Sequence, residues 1–470
     1  MKTLCRQLAF VVIGWFLLTA AGHAADFTDL HDFTLPSGGL ATNYDGFSPY
    51  GSPIVSNGWV YGTTGDGGAL GGGSVYAISP EGAFSNILSF GDEIFGSVYY
   101  TNGEGPTAAM ALIDNTLYGT TRAGGTNGLG TIFALGINGT GFMKLHDFGG
   151  QLSRDPVTQA NENNGGAFPE TDLVYSSNYL FGATEQGGTG GNGILFRYRI
   201  DTGEFLVLHN FTNVDGDYPS THMVVVGTNL YGTTQFGGTG SDSNFFLGNG
   251  VIFRVGTDGT GFTNLHDFDG VQAAQPVAGL VVSGNTLYGT AGIGAAGQGG
   301  APYGSVFKIN TDGAGFGIVY IFDPEMNGGN PRSGLAISGN TIYVNELGFD
   351  YGGTVISVDT SGNNYTNLTS FVNPGDPGTL TGLGLEGNTL YATTRDGGAF
   401  NQGTVFKLTL SAHLTFTVTP AINAVVLTWN DPTKSLYSAS DLTKPFGKIT
   451  SATSPYTNAV SSTQEFFLLR

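Results

Sequence analysis

Short apolar runs, rich in β-branched and aromatic residues and bounded by Gly, Asn or Asp, recur along most of the chain. In one stretch they are His222–Val226, Asn229–Thr233, Val251–Val255 and Phe262–Phe268. Runs of this kind separated by tight turns read as an antiparallel meander, while helical periodicity is almost absent. The second run carries Tyr231-Gly232-Thr233-Thr234. Comparable runs begin at Tyr61, Tyr118, Phe181, Tyr288, Tyr343 and Tyr391. The chain is therefore seven copies of one four-stranded unit, with strands a to d in order.

Landmarks recur at fixed places. A proline lies twelve residues before the aromatic of strand b: Pro49, Pro106, Pro169, Pro219, Pro276 and Pro331, with Thr379 in the seventh copy. Strand c starts at Gly73, Gly130, Gly193, Gly250, Gly304, Gly353 and Gly403. Strand d ends in Phe33, Phe90, Phe148, Phe211, Phe268, Phe322 and Phe371. The d run at 27–33 has no a, b or c before it, and the last copy has no d after Leu410. One repeat split between the ends predicts an all-β, seven-bladed β-propeller over residues 25–410, closed by an N-terminal strand that leaves no exposed edge. The a–b and c–d turns are short, whereas the d–a and b–c connections vary (91–105, 149–168, 235–249, 292–303). In a meander those variable connections share one face of the disc, where binding usually lives.

After Leu410 glycine thins out and the repeat stops. Residues 411–470 read as a small β-sandwich-like module, with Trp429 as its core residue. At the other end, Lys2 and Arg6 precede an apolar run from Leu8 to Thr19, and Gly22-His23-Ala24 offers a cleavage site. Residues 1–24 are thus a signal peptide, and the protein is exported: secreted, extracellular or held at the cell surface. The single cysteine, Cys5, leaves with it, so no disulfide is expected. A formal charge of −20 makes nucleic acid and anionic membrane poor partners. No later segment is long enough to span a bilayer, and the chain is expected to act as a monomer.

The set Leu230–Thr234, Gly237-Gly238, Gly403–Leu408, Asp258-Gly259 and Leu265–Phe268 resembles the GloVer tandem repeat of secreted bacterial proteins. The resemblance covers roughly residues 27–410. It implies an exported, surface-associated repeat protein and brings no catalytic residues. Family members often end in a hydrophobic span with a basic end; this chain ends Phe466-Phe467-Leu468-Leu469-Arg470.

Candidate chemistry is sparse. His31, His146, His209 and His266 fall on strand d of different blades and read as inter-blade fillers rather than metal ligands. Asn138, Asp258 and Asp312 open c–d turns, which favour such residues. No cofactor is expected. Asp215-Gly216-Asp217 is the place to look for Ca2+, which needs about six to eight converging oxygens. The Thr-Thr pairs read as local backbone bonding. Glycines inside strand b (Gly62, Gly119, Gly182, Gly232, Gly289) suggest close approach of blades near the axis.

The positions just after Thr-Thr do not repeat. Asp66, Arg122, Glu185, Gln235, Arg395 and Asp396 are the candidate ligand-binding residues. Phe95, Tyr99, Tyr100, Phe245, Phe246 and Tyr303, in the long loops, could stack on sugars. No nucleophile elbow, zinc helix or phosphate loop is present. The expectation is a non-enzymatic propeller that binds polysaccharide or an envelope component at its variable face. The alternatives are a glycan lyase or hydrolase and a structural, adhesive surface protein.

Overall fold

The computed structural model describes residues 25–37, 42–91, 100–150, 153–154, 161–219, 222–239, 248–293, 303–322, 329, 331, 334–347, 353–371, 376, 378, 380–410, 414–419, 424–429, 435–439, 447–450, 456–459 and 466–469. The expected signal peptide, Phe95, Tyr99, Phe245 and Phe246 lie outside them. Seven antiparallel sheets form a seven-bladed β-propeller. Blade 1 is Ile54–Ser56 (a), Trp59–Thr64 (b), Ser74–Ile78 (c) and Phe84–Ser89 (d). In the same order, blade 2 is Ala111–Ile113, Thr116–Thr121, Thr131–Gly136 and Met143–Asp147. Blade 3 is Val174–Ser176, Tyr179–Thr184, Ile194–Arg199 and Phe205–Asn210. Blade 4 is Val224–Val226, Asn229–Phe236, Val251–Gly256 and Thr263–Asp267. Blade 5 is Val281–Ser283, Thr286–Ala291, Ser305–Asn310 and Gly317–Ile321. Blade 6 is Leu335–Ser338, Thr341–Leu347, Gly353–Asp359 and Thr366–Ser370.

Blade 7 takes a, b and c from Leu380–Glu386, Thr389–Thr394 and Thr404–Thr409, and its d is Asp26–Asp32. That N-terminal strand pairs with strand c from Asp26↔Thr409 to Asp32↔Thr404. The split repeat therefore closes the ring. Beyond residue 410, Leu414–Thr419, Ala424–Trp429 and Tyr456–Ala459 form one sheet, and Leu436–Ala439, Gly447–Lys448 and Phe466–Leu469 another. Of Trp429 only the backbone is described. Among the described residues no helix is long and apolar enough to cross a membrane.

The core is a series of apolar layers between blades. The repeated phenylalanines Phe33, Phe90, Phe148, Phe211 and Phe268 are 0–1% exposed, each tucked against the aromatic of the next blade's strand c. The strand d histidines sit in the same layers. His31 stacks on Phe84, His146 on Phe205, His209 on Phe262 and His266 on Phe316, at 3.6–3.9 Å between ring centres. In each case the partner ring belongs to the following blade, as inter-blade filling requires. In blade 5 Tyr320 on Tyr365 plays the same part.

The strand b glycines do something other than bring blades together. Gly119 and Gly232 lie directly opposite Phe133 and Phe253 of their own strand c. A Cβ on either would sit 2.5 Å from the facing ring. Gly62, Gly182 and Gly289 likewise receive Tyr76, Phe196 and Phe307. The missing side chain makes room for a cross-strand aromatic within the blade. Blade approach is instead managed at the start of strand c. A Cβ on Gly250, whose φ is 92°, would meet Pro276 Cδ of the next blade at 2.7 Å. The same seat joins Gly73 to Pro106, Gly130 to Pro169, Gly193 to Pro219, Gly304 to Pro331 and Gly403 to Pro49. The exception is blade 6. Gly353 faces Leu380, which follows Thr379 rather than a proline, and it has no positive φ.

Candidate functional site: the axial cavity and its rim

Strand b ends in a latch. The second threonine of the pair donates to the carbonyl two residues on: Thr64 to Asp66, Thr121 to Ala123, Thr184 to Gln186, Thr234 to Phe236 and Thr394 to Asp396, at 2.8–3.1 Å. The same oxygen accepts from the first N–H of strand c, as from Ser74, Thr131, Ile194, Val251 and Thr404. The first threonine reaches the next blade: Thr63 donates to Ala108 O, Thr120 to Pro169 O and Thr393 to Gly51 O. The hydroxyls are thus committed to scaffold.

Just past the latch the d–a connection returns and pairs with strand b. Phe47 bridges Asp66, Glu104 bridges Ala123 and Ala274 bridges Ile293. Asn161–Ala167 and Asp217–Pro219 make longer ladders with Gln186–Gly188 and with Thr234–Phe236. The residue before each landmark proline there is left-handed, at φ 56° for Ser48, 58° for Phe168, 55° for Tyr218 and 51° for Gln275. The region before proline disfavours such helical values, so the fold holds local strain at this face. The return is a fixed backbone. The carbonyls of Ser48, Gly105, Phe168 and Gln275 accept from Gly65, Arg122, Glu185 and Gly292, the first residues beyond the latch.

A cavity of about 240 Å³ occupies the axis. Every blade lines it with residues at or just before its strand a: Tyr50, Thr107, Glu170, His222, Leu280, Leu335 and Thr381 among them. Strands a start at the end of the disc that carries the d–a and b–c connections, so the cavity belongs to the variable face.

The position three residues after the proline landmark rings this cavity. It is Ser52, Ala109, Gly279 and Gly334 in four blades, but Asp172 and His222 in blades 3 and 4. These two meet, with His222 Nδ1 3.2 Å from Asp172 Oδ2. The other carboxylate oxygen accepts from Ala109 N–H at 2.7 Å. Asp172 is thereby pinned, and it orients the imidazole so that Nε2 is the nitrogen left for the cavity.

The predicted rim residues stand above this ring. Arg395 lies over the ring of Tyr50, with 5.3 Å to the centroid. Arg122 lies over Phe168 at 5.5 Å, pairs with Glu170, and reaches Glu185 at 3.6 Å. These are cation–π distances. The rim carries excess negative charge. Burial, then the neighbouring Glu185, pushes Glu170 up against the pull of Arg122. Burial, then Asp66, raises Glu104, and burial raises Asp66 itself although Arg395 opposes it. Asp217 is pushed up to about 6 by burial, with Glu185 adding to it against the Tyr218 N–H.

Arg122, Glu185, Arg395 and Asp66 are thus brought into one rim. Gln235 is half-buried on the ladder extension beside Phe236, whose ring packs on Tyr218. The main chain of Asp396 accepts from Gly378 N–H. Tyr303 packs into the core between blades 5 and 6. Tyr100 is half-buried, and its carbonyl closes the turn to Gly103 and Gly125. Asp215 is held by His209 and by Thr212 N–H, while Asp217 turns to the Glu185 side. No group of three metal-ligating side chains is found among the described residues. Sequence reasoning missed Tyr50, Glu170, Asp172 and His222. The signal was present: they stand one and three residues after the prolines used as landmarks.

Fold and site together define a seven-bladed propeller with an axial cavity of mixed polar and apolar lining. The family model of the Gloeobacter/Verrucomicrobia repeat matches residues 153–346, and the chain is similar to that repeat there. No curated protein matches the chain in sequence. Among solved structures, an oligogalacturonate lyase in complex with manganese aligns with 83% of this chain and 94% of its own, at 9% identity and a TM-score of 0.51. A chain of the mitotic checkpoint complex aligns over 81% and 100%, at 13% identity and a TM-score of 0.47. The extracellular domain of a putative hybrid two-component system from B. thetaiotaomicron aligns over 88% and 42%, at 10% identity and a TM-score of 0.46. At these identities the likeness is one of fold.

Proposed function

We propose that this is an exported, non-enzymatic propeller that binds polysaccharide or another envelope component at the axial cavity of its variable face. The observation that carries the reading is the rim, where aromatic faces and charged side chains alternate around a small cavity of mixed lining: Tyr50 with Arg395, Phe168 with Arg122 and Glu170, then Tyr218 with Glu185. Flat apolar rings beside hydrogen-bonding groups suit sugar rings and their hydroxyls. The excess of carboxylates favours a neutral or amine-bearing glycan over a polyuronate. Export is inferred from residues 1–24, and Ca2+ is not needed for this reading.

One observation favours the alternative of a glycan-active enzyme. His222, held by Asp172, has the arrangement of a general base, and Glu170 lines the same cavity. Residues 25–470 should be passed over a panel of immobilised polysaccharides, with retention and released oligosaccharide both recorded. Retention without products, lost in Tyr50→Ala and Glu170→Gln, is the expected result. Products that vanish in His222→Gln would replace binding with catalysis. No retention on any glycan would leave the structural, adhesive role.

A further inference from the structure

Five blades end strand b in the threonine latch. Blade 5 ends in Ala291, and blade 6 carries Asn345-Glu346 in place of Thr-Thr. Glu346 pairs with Thr354 across the b–c ladder, where Thr234 of blade 4 pairs with Val251. The side chain of Glu346 lies on the same strand face as Val344, which packs with Tyr288, Val306 and Phe322 of blade 5. Glu346 is 1% exposed, and neither carboxylate oxygen has a hydrogen-bond partner. Asn345 points the other way, donating to Gly382 O of blade 7.

The three end residues differ in kind. A threonine supplies both latch bonds. An alanine gives them up without burying anything charged. A carboxylate with no donor is tolerated in such a place only with its proton on. The groups around it do not change that. Strand c offers Thr354, already bonded to Ser370. The residue just before strand d, Tyr365, offers its phenol and is stacked on Tyr320 of blade 5. Among the described residues no cation pairs with Glu346.

We propose that Glu346 is a proton-operated catch on the joint between blades 5 and 6: with its proton on it lets the end of strand b pack, and once ionised it draws that strand end open toward water. Burial pushes this carboxyl up to about 8, so the catch works just above neutrality. Tyr365 is raised by burial and then by Glu346 and Tyr320, and stays neutral throughout. The sign follows from linkage. The unfolded chain loses the Glu346 proton near 4.5 and the folded chain near 8. Stability attributable to this residue therefore falls as pH rises between those values and is flat above them.

The test uses residues 25–470 as wild type, Glu346→Gln and Glu346→Thr. Carboxylate 13C shifts of the wild type should show one glutamate titrating near pH 8, absent in Glu346→Gln. The melting temperature of Glu346→Thr should exceed that of wild type by a margin that grows from pH 5 to 8. Amide exchange over 341–347, corrected for intrinsic rate, should rise at least about tenfold in wild type from pH 5 to 8, level off above that, and stay level in both variants. A Glu346 midpoint near 4.5 would overturn the proposal, as would a margin equal at pH 5 and pH 9 or exchange indifferent to the substitution. The titration needs only the wild type to fold.

Discussion

The ring has two sectors. From blade 7 round to blade 4, every strand b ends in a threonine latch and every boundary with a following blade in that arc carries a glycine–proline seat. All the rim charges of the axial site stand in that arc. In blades 5 and 6 the latch is Ala291 or Glu346, the cavity wall is Gly279, Leu280, Gly334 and Leu335, and Gly353 has lost its seat. The contrast separates what a propeller needs from what a site needs. Both sectors keep four strands, paired register and apolar layers. Blade 5 still ties Gly292 to Gln275 and seats Gly304 on Pro331, but only the first sector keeps the threonine latch in every blade, and that is where charged side chains are displayed.

Within blade 6 some changes compensate and one does not. The Gly–Phe cross-strand pair of blade 4, Gly232↔Phe253, becomes Val344↔Ile356, and in blade 7 it is Ala392↔Phe406. In blade 6 the larger side chain on strand b faces a smaller one on strand c, while blade 7 keeps the ring opposite a methyl group. Glu346 has no such compensation, which is why it stands out as a group that only protonation accommodates.

The largest expected effect bears on both sectors, because it opens the ring. Removing residues 25–33 takes the outer strand from blade 7 and exposes strand c along its whole edge. The melting temperature should fall by more than about 10 °C, or the transition should lose cooperativity. An unchanged melt would contradict closure by this strand. Next, Gly232→Val should cost ~2–4 kcal/mol by driving a side chain into Phe253, and Phe253→Ile in the same chain should recover at least half. That double variant gives blade 4 the pair found in blade 6; additive losses would break the analogy. Third, Thr234→Ala should cost ~1 kcal/mol through the two latch bonds, measured by urea unfolding, whereas Ala291→Thr should gain a fraction of that. A further effect is one of pH. His146 is held down to about 4 by burial, and its Nε2 has no partner. The unfolded chain gains that proton near 6.5, so stability drops as pH falls from there to about 4. His146→Gln should flatten this limb.

The architecture was legible because its evidence is periodic. Seven spaced motifs and one orphan strand d at residues 27–33 led to the ring and its closure, both seen in the structure. The filling role of the histidines and the scaffold role of the threonines followed from the same repetition. What escaped was set by pairing across the sheet. That Gly232 makes room for Phe253, twenty-one positions on, depends on register, which spacing alone does not give. The axial ring escaped for a related reason. Asp172 and His222 lie in different blades and meet only because blades 3 and 4 are neighbours at the axis. Rim residues were found where variation stood against a constant scaffold, as at Arg122 and Glu185. Glu170 was passed over because the proline beside it was read as a landmark alone.

The most direct test of the account is a binding isotherm for whichever glycan residues 25–470 retain, measured for wild type, Glu170→Gln, Tyr50→Ala and, in the other sector, Gln275→Ala. The account predicts at least about a tenfold loss of affinity for the first two substitutions, ~1.4 kcal/mol each, and no change for the third. Equal affinity across all four, or a loss confined to Gln275→Ala, would contradict an axial site built on the arc from blade 7 to blade 4.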